Sequence, residues 1–155
     1  MHISQLLLII ANVSTGVIYG TDMFHAIVVK KAASLSKDSS IADLIGHTHL
    51  LADKRMPGFG ITALLCTTIC IVLNFSNLYA TCLSGAALLM LLSHLYLYMT
   101  IAKPVNKVMA DGVVNNIVPV NIRALQNRWD SVIGYRAALL TFAMLLLSLA
   151  TIVGD

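Results

Sequence analysis

The chain has 155 residues, of which 58% are hydrophobic and only 11% are charged. A soluble domain carries about 25% charged residues, so this composition excludes a water-soluble globule, and its hydrophobicity excludes disorder. The formal net charge is +3, and its meaning depends on where along the chain the charged residues lie. The length is that of a single domain.

Four apolar stretches dominate the sequence, at about 5–29, 57–74, 78–102 and 131–153. A helix needs about 20 apolar residues to cross the hydrocarbon of a bilayer, and lipid admits only helices or closed barrels. The stretches lack the alternation of barrel strands, so the sequence predicts an all-α bundle of four transmembrane helices in one domain spanning 1–155. No basic residue precedes the first stretch, which we interpret as a retained membrane helix rather than a cleaved signal peptide.

The connections between these stretches differ in length and character. Residues 39–56 mix apolar and polar side chains at helical spacing, which predicts an amphipathic cytoplasmic helix before the second membrane helix. The short turn 74–77 makes the second and third helices antiparallel neighbours. Cys70 and Cys82 flank that turn, and they either form a disulfide bridge or pack as small hydrophobic side chains.

The basic residues are distributed unevenly along the chain. Of the ten Lys and Arg residues, all but Arg136 lie in the connections 30–55 and 103–128. The positive-inside rule assigns these connections to the cytoplasm and both termini to the other side. We therefore expect an integral protein of a bacterial inner membrane, whose basic face attracts anionic membrane lipid rather than nucleic acid.

Several polar side chains lie inside the predicted membrane helices, where ionisable groups are costly and usually functional. Helical periodicity places them on inward faces at a similar depth, in the cytoplasmic half of the bundle. These residues are Asp22, His25, His94, Tyr98, Trp129 and Arg136. His47 and His49 approach the same level if the helix before Pro57 packs against the bundle.

This convergence has three interpretations. In the first, Asp22 and Arg136 form an ion pair that only fixes the packing of the helices. In the second, the cluster is a substrate pocket in which Asp22, His94 or Tyr98 moves protons and Arg136 binds an anionic oxygen. In the third, imidazole and carboxylate groups hold iron, copper or zinc. The ligands of that metal site would be Asp22, His25, His94 and one of His47 and His49.

Short motifs in three of the helices offer a further comparison. In chain order they are Gly16 and Gly20 followed by Phe24, then Lys103-Pro104-Val105-Asn106, and then Trp129 seven residues before Arg136. This pattern resembles the anthrone oxygenase-like family of small four-helix membrane proteins. The resemblance implies oxidation of an anthrone to an anthraquinone without a classical organic cofactor, and by motif match it places Asn106, Trp129 and Arg136 in the site.

The leading expectation is a small membrane oxidoreductase of the oxygenase-like type, acting on a lipophilic aromatic or quinol-like substrate. The sequence leaves two alternatives for the cofactor: the enzyme uses none, or it uses a transition metal bound by His and Asp side chains. The expected catalytic residues are Asp22, His94 and Arg136, the expected substrate-binding residues are Trp129, Asn106 and Tyr98, and the candidate metal ligands are His25, His47 and His49.

Two alternatives stay open beside this expectation. One is a non-catalytic subunit or scaffold, which binds a second copy or another membrane protein through small residues such as Gly16 and Gly20. The other is a metal or haem protein ligated by histidines, for which His25 and His94 lie on different helices at comparable depth.

Overall fold

The computed structural model describes residues 3–154, which form four long helices joined by short loops. The helices are α1 (Ile3–Leu35), α2 (Asp38–Leu73), α3 (Leu78–Val114) and α4 (Ile122–Val153). Each is long and apolar enough to cross a membrane, and residues 3–154 contain no strand. The chain is therefore an all-α integral membrane protein with four spanning helices, as the sequence predicted.

Two of the helices contain a π-helical turn. These turns are His25–Val29 in α1 and Tyr98–Ala102 in α3. A π turn takes one extra residue into the helix and occurs frequently at functional sites, because it changes the direction of nearby side chains. The α-helical segments on either side are Ile3–Phe24 and Lys30–Leu35 in α1, and Leu78–Leu97 and Lys103–Val114 in α3.

The predicted amphipathic helix is continuous with the second membrane helix. α2 consists of Asp38–Arg55 and Pro57–Leu73, which meet at Met56. Pro57 occupies the first position of its segment, where the missing N–H leaves no hydrogen bond unmade. The Met56 N–H still donates to the carbonyl oxygen of Ala52 at 2.8 Å, so the backbone passes this point while remaining helical.

The helices are longer than the hydrocarbon layer is thick. They contain 32 to 37 residues each, which at a rise of 1.5 Å per residue gives about 48–55 Å against about 30 Å of hydrocarbon. The helices run past the predicted spans on one side, because α1 continues to Leu35, α3 continues to Val114 and α4 begins at Ile122. We call this side the basic end, since it carries Lys30, Lys31, Lys37, Lys54, Arg55, Lys103, Lys107, Arg123 and Arg128; the side with the turn 74–77 is the neutral end.

The four helices pack as a ring in chain order, in which α1 and α3 each contact both α2 and α4. At the basic end, the Asp38–Arg55 part of α2 also packs against the Lys103–Val114 part of α3. Gly46 permits this approach, because a Cβ at that position would lie 2.9 Å from the backbone oxygen of Met109. The basic end is thus a packed extension of the bundle.

The three cysteines are free. Cys70 is buried and its thiol donates to the carbonyl oxygen of Ser4 at 3.0 Å, whereas Cys82 is exposed. The bridge between Cys70 and Cys82 that the sequence left open is therefore not formed, because the two side chains have different environments.

Candidate functional site

Three ionisable side chains from three helices meet inside the bundle. Asp22 of α1, His94 of α3 and Arg136 of α4 are only 4%, 9% and 6% exposed. Arg136 Nη2 donates to Asp22 Oδ1 at 3.0 Å, and His94 Nε2 lies 3.0 Å from Asp22 Oδ2. Arg136 Nε lies 3.3 Å from the same ring nitrogen. The residues that the sequence singled out as catalytic are therefore in direct contact, and we call them the triad.

The position of one proton determines what the triad can do. A ring nitrogen either donates or accepts, so His94 Nε2 cannot serve Asp22 and Arg136 as a full hydrogen-bond partner at once. When Nε2 carries the proton, it donates that proton to Asp22. In a neutral ring Nδ1 is then unprotonated and can accept a hydrogen bond. The residues 3–154 offer Nδ1 no hydrogen-bond partner. In this state His94 has the arrangement of a general base that a carboxylate orients.

The triad lies in the wall of a cavity of about 440 Å³. All four helices contribute to the wall, most of which is apolar, as is typical of sites for small organic molecules. Besides the triad, the polar and aromatic residues of the wall are Thr21, His25, Thr48, His49, Asp53, Tyr98, Lys103, Asn106 and Trp129. The cavity therefore contains all three residues that the sequence predicted to bind substrate.

Aromatic rings surround the Arg136 guanidinium. Its Cζ lies 5.7 Å from the ring centroid of Trp129 and 5.8 Å from that of Tyr98, within the range of cation–π attraction. The Trp129 ring in turn packs against His25 and His49, at centroid distances of 5.0 and 5.3 Å. These contacts hold the cation in place within the cavity wall while leaving it able to donate hydrogen bonds.

A second polar group, the Asp53 cluster, lies in the same wall. Tyr98 Oη and Asn106 Nδ2 both donate to Asp53 Oδ1, at 2.8 and 2.9 Å. Tyr98 is the first residue of the π turn in α3, and Asp53 belongs to α2, so these bonds connect two helices. The sequence analysis did not select Asp53. Its position four residues after His49, on the same helix face, is the signal that could have found it.

Of the histidines predicted as metal ligands, His25 and His49 line the cavity and His47 does not. His47 is exposed and its Nδ1 lies next to the backbone oxygen of Asp43 on its own helix, whereas His25 and His49 pack against Trp129. A His-x-His pair points to different faces of a helix, which explains why His49 enters the bundle and His47 does not. Within residues 3–154, no group of three His, Cys, Asp or Glu side chains is placed to hold a metal ion.

Several buried polar atoms of the cavity residues lack a hydrogen-bond partner among residues 3–154. They are Nε2 of His25, Nε2 of His49, Nε1 of Trp129 and Oδ1 of Asn106. A buried polar group without a partner costs about 1–3 kcal/mol, so such groups are few in a core that is only packed. Their concentration around one cavity supports a binding site there.

Exposed apolar side chains of Ile61 in α2 and of Leu95 and Met99 in α3 belong to the lining of the cavity. Counted along the helices from the neutral end, the triad lies about 25 Å deep, and the hydrocarbon is about 30 Å thick. The triad therefore lies toward the basic end of the bundle.

Comparison of the chain with protein-family models, with curated proteins and with solved structures finds no match. The likeness to the anthrone oxygenase-like family rests on its short motifs. The three residues that those motifs assign to a site, Asn106, Trp129 and Arg136, all line the cavity.

Proposed function

We propose that this protein is a small membrane oxidoreductase of the oxygenase-like type, which binds a lipophilic aromatic molecule with an ionisable oxygen. The observation that carries the proposal is the buried triad, Asp22, His94 and Arg136, in the wall of an apolar and aromatic cavity. An ion pair that only fixed the helix packing would need no cavity beside it.

Arg136 is the group that binds the substrate oxygen. Its Nη2 and Nε face Asp22 and His94, and residues 3–154 give Nη1 no hydrogen-bond partner. A guanidinium has only donors to offer, and a donor fixed in an apolar cavity stabilises negative charge on a phenolate or enolate oxygen. Arg136 therefore lowers the free energy of the deprotonated substrate relative to the neutral one.

His94 is the base, and Asp22 orients it. With Nε2–H donated to Asp22, Nδ1 takes the proton from the substrate, and the carboxylate of Asp22 stabilises the imidazolium that forms. For an anthrone, the resulting carbanion reacts with dioxygen: one anthrone and one O₂ give one anthraquinone and one water. This oxidation is the activity that the family resemblance implies.

The substrate enters from the bilayer between α2 and α3, because a lipophilic molecule dissolved in the hydrocarbon meets Ile61, Leu95 and Met99 there. The basic end faces the cytoplasm of a bacterial inner membrane, in accordance with the positive-inside rule. This orientation puts both termini outside and the triad in the cytoplasmic half of the membrane.

The test uses Trp129, the only tryptophan of the chain, whose fluorescence reports ligand binding to the cavity. Anthrone is added to the purified protein in detergent, and oxygen consumption and anthraquinone absorbance are followed. We expect His94→Gln to bind anthrone but to oxidise it at least about 100-fold more slowly, because general-base catalysis contributes about 10²–10⁴-fold. The matched control is His47→Gln, a substitution of an exposed histidine outside the cavity.

Oxidation by His94→Gln at the wild-type rate, or a wild-type rate equal to that in detergent alone, would overturn the proposal. Elemental analysis and an absorbance spectrum of the same preparation test the cofactor. Stoichiometric iron, copper or zinc, or a haem band, would replace the cofactor-free mechanism by the metal or haem alternative. Absence of anthrone binding together with co-purification of a larger membrane protein would favour the scaffold.

A further inference from the structure

Two groups of polar side chains in the cavity wall offer different partners to a ligand, and we call them the donor end and the acceptor end. At the donor end, Arg136 Nη1 has only hydrogens to offer, and residues 3–154 do not use them. A ligand atom bound there must accept hydrogen bonds, as the oxygen of a phenolate, an enolate or a carbonyl group does.

The acceptor end is the Asp53 cluster. The hydroxyl hydrogen of Tyr98 and an amide hydrogen of Asn106 both go to the same atom, Asp53 Oδ1. What the three side chains still offer is the second amide hydrogen of Asn106 and lone pairs on Asp53 Oδ2, Tyr98 Oη and Asn106 Oδ1. The last of these belongs to a residue only 4% exposed and has no partner among residues 3–154.

A cluster that only joined α2 to α3 would be expected to use its acceptors within the protein, because a buried acceptor without a donor is destabilising. Here both donated hydrogens converge on Asp53 Oδ1, while the buried acceptor Asn106 Oδ1 has no donor among residues 3–154. A hydroxyl group on a ligand supplies the missing donor.

The two ends are close enough for one small aromatic molecule. Tyr98 follows His94 by four residues, an offset of about 6 Å along the helix axis, and Arg136 Cζ lies 5.8 Å from the Tyr98 ring centroid. Both ends line the same cavity of about 440 Å³, which is large enough for one aromatic ring with oxygen substituents at opposite positions.

We propose that the ligand of this cavity is a lipophilic hydroquinone-type molecule, whose first oxygen binds at Arg136 and whose second, a hydroxyl, donates to the Asp53 cluster. This inference rests on the proposed function, since it names the substrate class of the same cavity. Tyr98, Asn106 and Asp53 are then specificity-determining residues, which select a ligand with two oxygens over a ligand with one.

The experiment compares two ligands that differ in one hydroxyl group, decyl-1,4-hydroquinone and the decylphenol that lacks the second hydroxyl. Binding to the purified protein is measured under argon through Trp129 fluorescence, so no oxidation takes place. We expect the wild-type protein to bind the hydroquinone about tenfold more tightly, the usual effect of one hydrogen bond.

Tyr98→Phe removes one of the acceptors and should lower the affinity for the hydroquinone, and with it the preference over the phenol, while the affinity for the phenol stays unchanged. The matched control is Tyr96→Phe, because Tyr96 lies on the same helix with 67% of its surface exposed. This control should keep the tenfold preference.

Equal wild-type affinities for the two ligands would overturn the inference and leave the proposed pocket standing. The inference would also be overturned if Tyr98→Phe lowered the affinity for both ligands to the same degree, because the cluster would then act through helix packing. Failure of the wild-type protein to bind either ligand would contradict the proposed function as well. The wild-type preference needs no variant, so the inference stays testable if Tyr98→Phe does not fold.

Discussion

Two buried threonines in the neutral half of the bundle and two carboxylates in the basic half satisfy their hydrogen bonds differently. In the neutral half, Thr15 and Thr67 are fully buried, and each hydroxyl donates to the carbonyl oxygen four residues earlier in its own helix. In the basic half, Asp22 and Asp53 accept hydrogen bonds from side chains of other helices. A bond within one helix forms wherever that helix forms, whereas a bond between helices requires the assembled bundle.

The difference separates polar side chains that bond within their own helix from charged side chains that need a partner on another helix. A hydroxyl that bonds to its own helix makes a threonine tolerable in an apolar environment and needs no other residue. A carboxylate or a guanidinium in the same environment is costly without a partner. The basic half carries this cost beside a cavity of about 440 Å³, which is why we place the function there.

The strongest test of this contrast is the removal of one charge from the triad. Asp22→Ala leaves Arg136 buried without its carboxylate, and breaking a buried pair in this way costs about 3–5 kcal/mol. We expect a loss of this size in the free energy of unfolding, measured by chemical denaturation in detergent micelles. The double variant Asp22→Ala, Arg136→Leu should recover part of the loss, because it removes the unpaired cation. A double variant less stable than Asp22→Ala would show that the ion pair is not what stabilises this half.

A smaller effect is expected where the extensions of α2 and α3 touch. A Cβ on Gly46 would lie 2.2 Å from the Val113 side chain and 2.9 Å from the Met109 backbone oxygen, so Gly46→Ala should destabilise the protein by about 1–3 kcal/mol. The matched control is Gly85→Ala in α3, where a Cβ meets no atom within 4 Å. This control should leave stability unchanged or raise it by up to about 1 kcal/mol. Thermal unfolding followed by circular dichroism compares the two, and equal melting temperatures would contradict close packing at Gly46.

The smallest effect belongs to the neutral half. Thr67→Val replaces a buried hydroxyl, which donates to the carbonyl oxygen of Ala63 in its own helix at 2.7 Å, by a methyl group of similar size. The change in unfolding free energy should stay within about 1 kcal/mol, because the carbonyl oxygen keeps its place in the helix. The same denaturation assay measures it. A loss as large as that of Asp22→Ala would remove the distinction between the halves.

Much of the fold and part of the site could be predicted from the sequence. The four helices follow from the length of the apolar stretches, and Asp22, His94 and Arg136 stand out because charge and imidazole are rare in such stretches. The sequence could not decide which of His47 and His49 enters the bundle, because the depth of the segment before Pro57 depends on how that segment packs. Asp53 lies among the other polar residues of an amphipathic segment, where a carboxylate is ordinary, so its position four residues after His49 was the one signal that could have found it.

The sequence by itself determined that the chain crosses a membrane with helices, because hydrocarbon requires about 20 apolar residues per helix and leaves charged residues few positions. It also determined the unequal distribution of Lys and Arg between the two ends. Only the tertiary structure decided that His94 bonds to Asp22 and that Tyr98 and Asn106 both donate to Asp53. It also decided that all five residues line one cavity. The physical reason is that helix periodicity fixes the face of the helix on which a residue lies. Which residue it meets depends on the rotation and depth of the neighbouring helix, and π turns and bends change both.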